Sequence, residues 1–77
     1  MRRAAQYLSA AASEGREEFL LALRDVARAR GIAKVAKRAK RGRESLYKAL
    51  SAGGNPELGT VLAVLDALEI KLTFEAA

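Results

Sequence analysis

The sequence predicts an all-α fold, a five-helix bundle that contains a helix-turn-helix and closes with a short β-strand. Three observations predict it. Apolar residues recur at spacings of three and four in successive blocks. The glycines and the single proline fall mostly between those blocks rather than inside them. Ten of the fourteen Lys and Arg residues lie between Arg24 and Lys48, where two of the blocks are short and closely spaced. With 77 residues there is room for one domain, 1–77, and no cysteine is present to staple it. A partner subunit is therefore the expected source of extra stability.

The first element, a weak helix within residues 1–12, is read from the alanines between Ala4 and Ala12 with Tyr7 and Leu8. Alanine favours the helix, but so few large apolar side chains leave it little to bury. A second helix follows, with Ser13 as its expected cap and Glu14, Glu17 and Glu18 at the positive end of its dipole. Its inward residues are Phe19, Leu20, Leu23, Val26 and Ala27, and Gly31 ends it. The third helix, from about Ala33 to Ala39, turns Ile32, Val35, Ala36 and Ala39 inward and Lys34, Lys37 and Arg38 outward. The fourth, from Arg43 to Ser51, buries Leu46, Ala49 and Leu50 until Ala52-Gly53-Gly54-Asn55-Pro56 stops it. Pro56 suits the first turn of a fifth helix whose apolar stripe is Leu58, Val61, Leu62, Leu65 and Leu68. Residues 70–74 change period: Ile70, Leu72 and Phe74 alternate with Lys71 and Thr73, as in a half-buried strand.

Residues 32–51 carry the function that the sequence suggests. Two short helices joined by a tight turn, the second rich in side chains able to reach nucleic acid, form a helix-turn-helix of lambda-repressor-like type. Such a pair needs a small residue where the helices cross and an apolar one in mid-recognition helix. Ala36 and Leu46 answer to both, with Ala49 three residues further on. Lys40 stands where a glycine usually makes the turn, Arg41 where an apolar residue is expected, and Gly42 where Ser or Thr usually caps. In this register Arg43, Glu44, Tyr47, Lys48 and Ser51 face the major groove of duplex DNA. Arg43 has the fork to pair with guanine and Glu44 can accept from cytosine. Tyr47 either contacts DNA or packs its ring on a neighbouring helix, and Glu44 alternatively pairs with Arg41 or Lys48. Lys34, Lys37, Lys40, Arg41 and Lys48 are expected on phosphates.

Composition narrows the remaining choices. The formal charge of +5 suits an anionic partner, and from Ser51 onward Lys71 is the only cation. There is no His and no Cys, so imidazole bases, thiolate nucleophiles and zinc sites of the usual kinds are unavailable. The expectation is a non-enzyme with no cofactor and no metal; a small basic ribonuclease working through Lys, Arg, Glu and Tyr is the catalytic alternative. No apolar run spans a bilayer and no secretion signal follows Arg2-Arg3, so a cytoplasmic protein of bacterial type, away from membranes, is expected.

From Ala5 to about Leu72 the chain resembles the small Xre-related, HigA-like antitoxins of bacterial type II toxin-antitoxin modules, the addiction-module antidote proteins. The residues that carry the resemblance are Asp25-Val26-Ala27-Arg28-Ala29-Arg30-Gly31, Arg43-Glu44-Ser45-Leu46-Tyr47-Lys48-Ala49-Leu50-Ser51, and Gly54-Asn55-Pro56 with Thr60-Val61-Leu62. The chain departs from the family pattern at Ala39-Lys40-Arg41-Gly42, in place of a Thr-Gly-Leu-Ser-like turn, and at Glu69, where glycine is usual. The resemblance implies an antitoxin that binds a co-encoded RelE-like ribonuclease toxin and represses its own operon, usually as a dimer. A stand-alone or prophage-derived regulator without a toxin is the alternative. Tyr7 and Leu8, on a helix that cannot bury itself well, are the candidate toxin contacts. Ile70, Leu72 and Phe74 are the candidate dimer contacts, since a lone strand can pair with a second copy of itself. A two-fold dimer would set its recognition helices about 34 Å apart, which calls for an inverted-repeat operator.

Overall fold

Helix α1 (Arg2–Glu14) runs almost directly into α2 (Arg16–Arg30), with Gly15 as the single residue between them. The computed structural model describes residues 2–77; Met1 of the expected first element lies outside the described residues. Helices α3 (Ile32–Ala39), α4 (Arg43–Ala49) and α5 (Leu58–Ala67) complete an all-helical chain with a Cα radius of gyration of 11.5 Å. Helix α1 packs on α2, α2 on α3, and α3 on both α4 and α5.

The core explains why α1 is a full helix and not a fraying one. Leu8 and Ala11, three residues apart, are buried with Leu20, Leu23 and Ala27 of α2. Alanines lack bulk, and that lets the two backbones approach closely. Ser13 does not cap α2; it lies in the last turn of α1, where its hydroxyl donates to the Ser9 carbonyl oxygen at 3.2 Å. Gly15 takes the N-cap position of α2 without a side-chain cap.

Gly31 ends α2 as expected and also begins α3, at φ 101° and ψ 104°, a conformation that L side chains rarely adopt. The next turn is made without glycine. Lys40 is left-handed at φ 57° and ψ 44°, its amide donates to Lys37 O at 3.2 Å, and the Arg41 amide donates to Ala36 O at 3.0 Å. Those two bonds close a Schellman motif, which satisfies the last carbonyls of α3 and aims the chain into α4. Val35, Ala36 and Ala39 on α3 are buried with Leu46 of α4 and Leu50 just beyond it.

Helix α5 is rotated from its expected stripe. Val64, Leu65 and Ala67 are buried, along with Leu68 just past its end, whereas Leu58 is 68% exposed and Leu62 is 42% exposed. The helix is apolar around most of its circumference, so periodicity alone could not select its inner face.

The expected strand at 70–74 is not present; the described residues contain helices and turns only. A second Schellman motif takes its place. Glu69 is left-handed at φ 61°, its amide donates to Asp66 O at 3.0 Å, and the Ile70 amide donates to Leu65 O at 2.9 Å. The alternation of Ile70, Leu72 and Phe74 therefore has another origin. Ile70 folds back as the apolar residue closing this motif and packs on the core, while Leu72 and Phe74 are exposed on a tail without secondary structure.

Candidate nucleic-acid interface

The cationic surface is assembled by α3, the Lys40–Gly42 turn and α4. Lys34 and Lys37 are exposed one turn apart on α3, opposite the buried Val35, Ala36 and Ala39. Lys40 is exposed at the apex of the turn. Gly42, extended at φ −68° and ψ 142°, then starts α4 without a side-chain cap, and its carbonyl accepts from the Leu46 amide at 2.9 Å. This places Arg43 and Glu44 in the exposed first turn of α4 and Lys48 exposed in its last, with Leu46 anchored in the core between them.

Two residues expected at the interface are engaged elsewhere. The Arg41 guanidinium folds back over the end of α3: Nη1 donates to Ala39 O at 3.1 Å and to Lys40 O at 3.4 Å, and Nε donates to Thr60 Oγ1 at 3.3 Å. Arg41 thus occupies the site of the usual apolar residue by capping carbonyls and tying the turn to α5. Ser51 lies past the end of α4, which stops at Ala49, and its hydroxyl donates to Lys48 O at 2.7 Å. It closes the helix rather than facing outward.

Tyr47 is half-buried, with the Arg24 guanidinium carbon 5.8 Å from its ring centroid. That is within cation–π range, so the ring faces a side chain of α2. Sequence reasoning counted Arg24 among the clustered cations and gave it no further role. It also missed Arg16, whose Nη2 donates to Gly54 O at 2.9 Å and Asn55 Oδ1 at 2.7 Å and so fastens the loop after α4 to α2. The loop needs Gly54 itself, because a Cβ there would overlap the Ala49 carbonyl oxygen and lie 2.8 Å from Lys48 O.

Acidic partners lie away from this surface. Glu69 lies 3.6 Å from Arg38 and 4.0 Å from Arg30, and these are the ion pairs of the described residues. Lys34, Lys37, Lys40, Arg43 and Lys48 thus keep unneutralised charge on one stretch of chain, with Glu44 as the single acid among them.

The candidate partner contacts near the ends divide differently. Leu8 is 4% exposed and built into the core, where it offers little surface to a partner. Tyr7 is exposed, and its hydroxyl donates to Asp25 Oδ2 at 3.0 Å. That bond to a carboxylate favours the neutral phenol and raises the Tyr7 pKa above its usual value, with desolvation and the Asp25 charge acting in the same direction. Of the three candidate dimer contacts, Ile70 is committed to its own core, while Leu72 and Phe74 remain exposed together with Leu58 and Leu62. No helix among the described residues is long and apolar enough to cross a membrane.

Comparison with known proteins places this arrangement. No solved structure matches the chain. An uncharacterized protein of Haemophilus influenzae is 46% identical over 66 residues, which cover 84% of this chain and 68% of that protein. A family model described as probable addiction module antidote protein matches residues 2–76, and that span takes in all five helices, both Schellman turns and the exposed tail. On that match, the chain belongs to the family of probable addiction module antidote proteins.

Proposed function

We propose that this antidote is of the Xre-related, HigA-like kind: a DNA-binding autorepressor of its own operon that also neutralises a co-encoded RelE-like ribonuclease toxin by direct binding. The observation that carries the DNA-binding part is the run of exposed, unpaired cations on α3, its turn and α4. Read as a helix-turn-helix, α4 enters the major groove with Arg43 and Glu44 on base edges, while Lys34, Lys37, Lys40 and Lys48 meet phosphates. Phosphate contacts of this kind supply affinity without sequence preference, and the first turn of α4 supplies the preference. The protein acts by binding and carries out no chemical step, consistent with a sequence that lacks His and Cys.

A second copy is the partner we assign to the exposed apolar patch of Leu58, Leu62, Leu72 and Phe74. Asp66 and Lys71 line one cleft with Leu62 and Leu72, so a two-fold contact there can set opposite charges against each other. Pairing through the cationic surface would instead oppose like charges. The dimer in turn predicts an inverted-repeat operator.

Footprinting on the DNA upstream of the coding sequence, with co-purification of the protein encoded by the neighbouring short reading frame, tests both halves. A protected inverted repeat and a stable complex support the proposal. Protection without a toxin partner leaves a stand-alone regulator, and absence of protection removes the repressor reading.

A further inference from the structure

Arg24 is the cation whose surroundings ask for a ligand. It sits on α2, half-buried, and its Nε is buried with no hydrogen-bond partner. Neither ion pair of the described residues involves it; both are made by Glu69. The neighbouring carboxylate on its own helix, Asp25, accepts from Tyr7 instead. A guanidinium carries five N–H donors and is costly to desolvate without an acceptor. Its guanidinium carbon nevertheless lies over the ring of Tyr47 of α4, 5.8 Å from the centroid, beside the proposed recognition surface.

The direction of packing extends the surface. Arg16 near the start of α2 reaches Gly54 and Asn55 beyond the end of α4, while Arg24, two turns later, meets Tyr47 within α4. The side chains of α2 thus meet successively earlier parts of the α4 segment as α2 proceeds. Arg28, four residues on from Arg24, lies on the same face of α2 and is exposed.

We propose that Arg24 binds a backbone phosphate diester of duplex DNA, with the Tyr47 ring holding its guanidinium in place, so that the interface extends from α4 onto α2. This rests on the DNA-binding reading above. The cation–π contact holds the guanidinium near the ring and leaves its terminal nitrogens to meet phosphate oxygens, a pairing for which arginine geometry is suited. The contact is independent of base sequence, because a phosphate offers the same oxygens at every step.

The test measures binding of the full chain to a labelled duplex of random sequence across a salt series, for wild type, Arg24→Met and Arg24→Lys, with urea unfolding of each protein alongside. Met keeps the aliphatic stem on Tyr47 and removes the charge; Lys keeps the charge. The expected result is that Arg24→Met weakens binding roughly tenfold at low salt and reduces the steepness of the log–log salt dependence by about 0.9, while Arg24→Lys keeps the wild-type slope. Wild-type affinity and slope in Arg24→Met would overturn the inference and leave the DNA-binding reading standing. Equal losses in both variants, tracking their urea midpoints, would overturn it by assigning Arg24 a packing role alone. A wild-type protein that does not bind the duplex would overturn both.

Discussion

Lys40→Gly separates the two roles that the turn between α3 and α4 has to combine. Lys40 is held left-handed at φ 57° and ψ 44°, and both hydrogen bonds of its Schellman motif come from backbone amides that a glycine retains. A left-handed L residue costs roughly 1–2 kcal/mol. Glycine removes that cost but loses about 0.5–1 kcal/mol in unfolded-chain entropy, which leaves a net stabilisation of about 0.5–1 kcal/mol. For a domain of this size the gain raises Tm by about 2–8 °C. The substitution also deletes an exposed cation, so DNA affinity should fall and the salt slope should lessen by about 0.9. Lys40→Ala is the control, keeping the backbone strain and losing the charge; it should bind DNA like Lys40→Gly without the rise in Tm. The assay is thermal unfolding by circular dichroism paired with fluorescence anisotropy on one duplex. A Tm that falls in Lys40→Gly would refute the left-handed turn, and unchanged DNA binding in both variants would refute the placement of Lys40 on the interface.

Other substitutions probe the remaining joints of the fold. Leu8→Ala should destabilise by about 2–5 kcal/mol in chemical denaturation, because Leu8 is core and not a surface contact; a neutral effect would return it to the list of partner contacts. Gly54→Ala should cost about 1–3 kcal/mol or more, since the added methyl meets the Ala49 carbonyl oxygen, and unaltered stability would show that the loop passes α4 less closely. The raised pKa of Tyr7 means that the native chain holds the phenolic proton more tightly than the unfolded one. The Tyr7–Asp25 bond therefore contributes stability that is full below the ordinary phenol pKa of about 10 and is lost as pH rises through the raised pKa of the folded chain. Tyr7→Phe should accordingly flatten the alkaline limb of the stability profile, and an unchanged limb in that variant would exclude the bond.

Much of the helical order is legible because the breakers are local. Gly31 and the Ala52–Pro56 stretch act through backbone conformation within a residue or two, and they mark helix ends wherever the chain goes next. Tertiary choices are less visible. Leu8 and Ala11 look weak by count, yet two small-footprint residues at the right spacing suffice once α2 lies against them. Helix α5 presents leucines on several faces, so which of them is covered depends on where α3 packs, and Leu58 and Leu62 fall outside. The alternation at 70–74 misled because a residue closing a Schellman motif and a free tail can imitate period two over a few positions.

At the candidate site, charge was the legible part: the exposed cations of α3 and α4 are the ones that clustering and helical period point to. Hydrogen-bonding roles were not legible. Arg41 and Ser51 fold back onto carbonyls that are free only once their helices end where they do. Arg24 is joined to Tyr47 by the packing of α2 on the rest of the bundle, and sequence spacing carries no signal for a pair 23 residues apart.

The measurement that bears most directly on the central claim is the salt dependence of duplex binding by the full chain, read as log affinity against log salt. Lys34, Lys37, Lys40, Arg43 and Lys48 are exposed and unpaired on one stretch of chain. With the four lysines on phosphates and Arg43 on a base edge, the predicted slope is about −3.6 per chain, and a phosphate contact from Arg24 adds about −0.9. Arg43→Ala should narrow the gap between the operator and random sequence, whereas Lys37→Ala should weaken both equally. A slope near zero, or the same effect from both substitutions, would contradict the assignment of α3 and α4 to DNA.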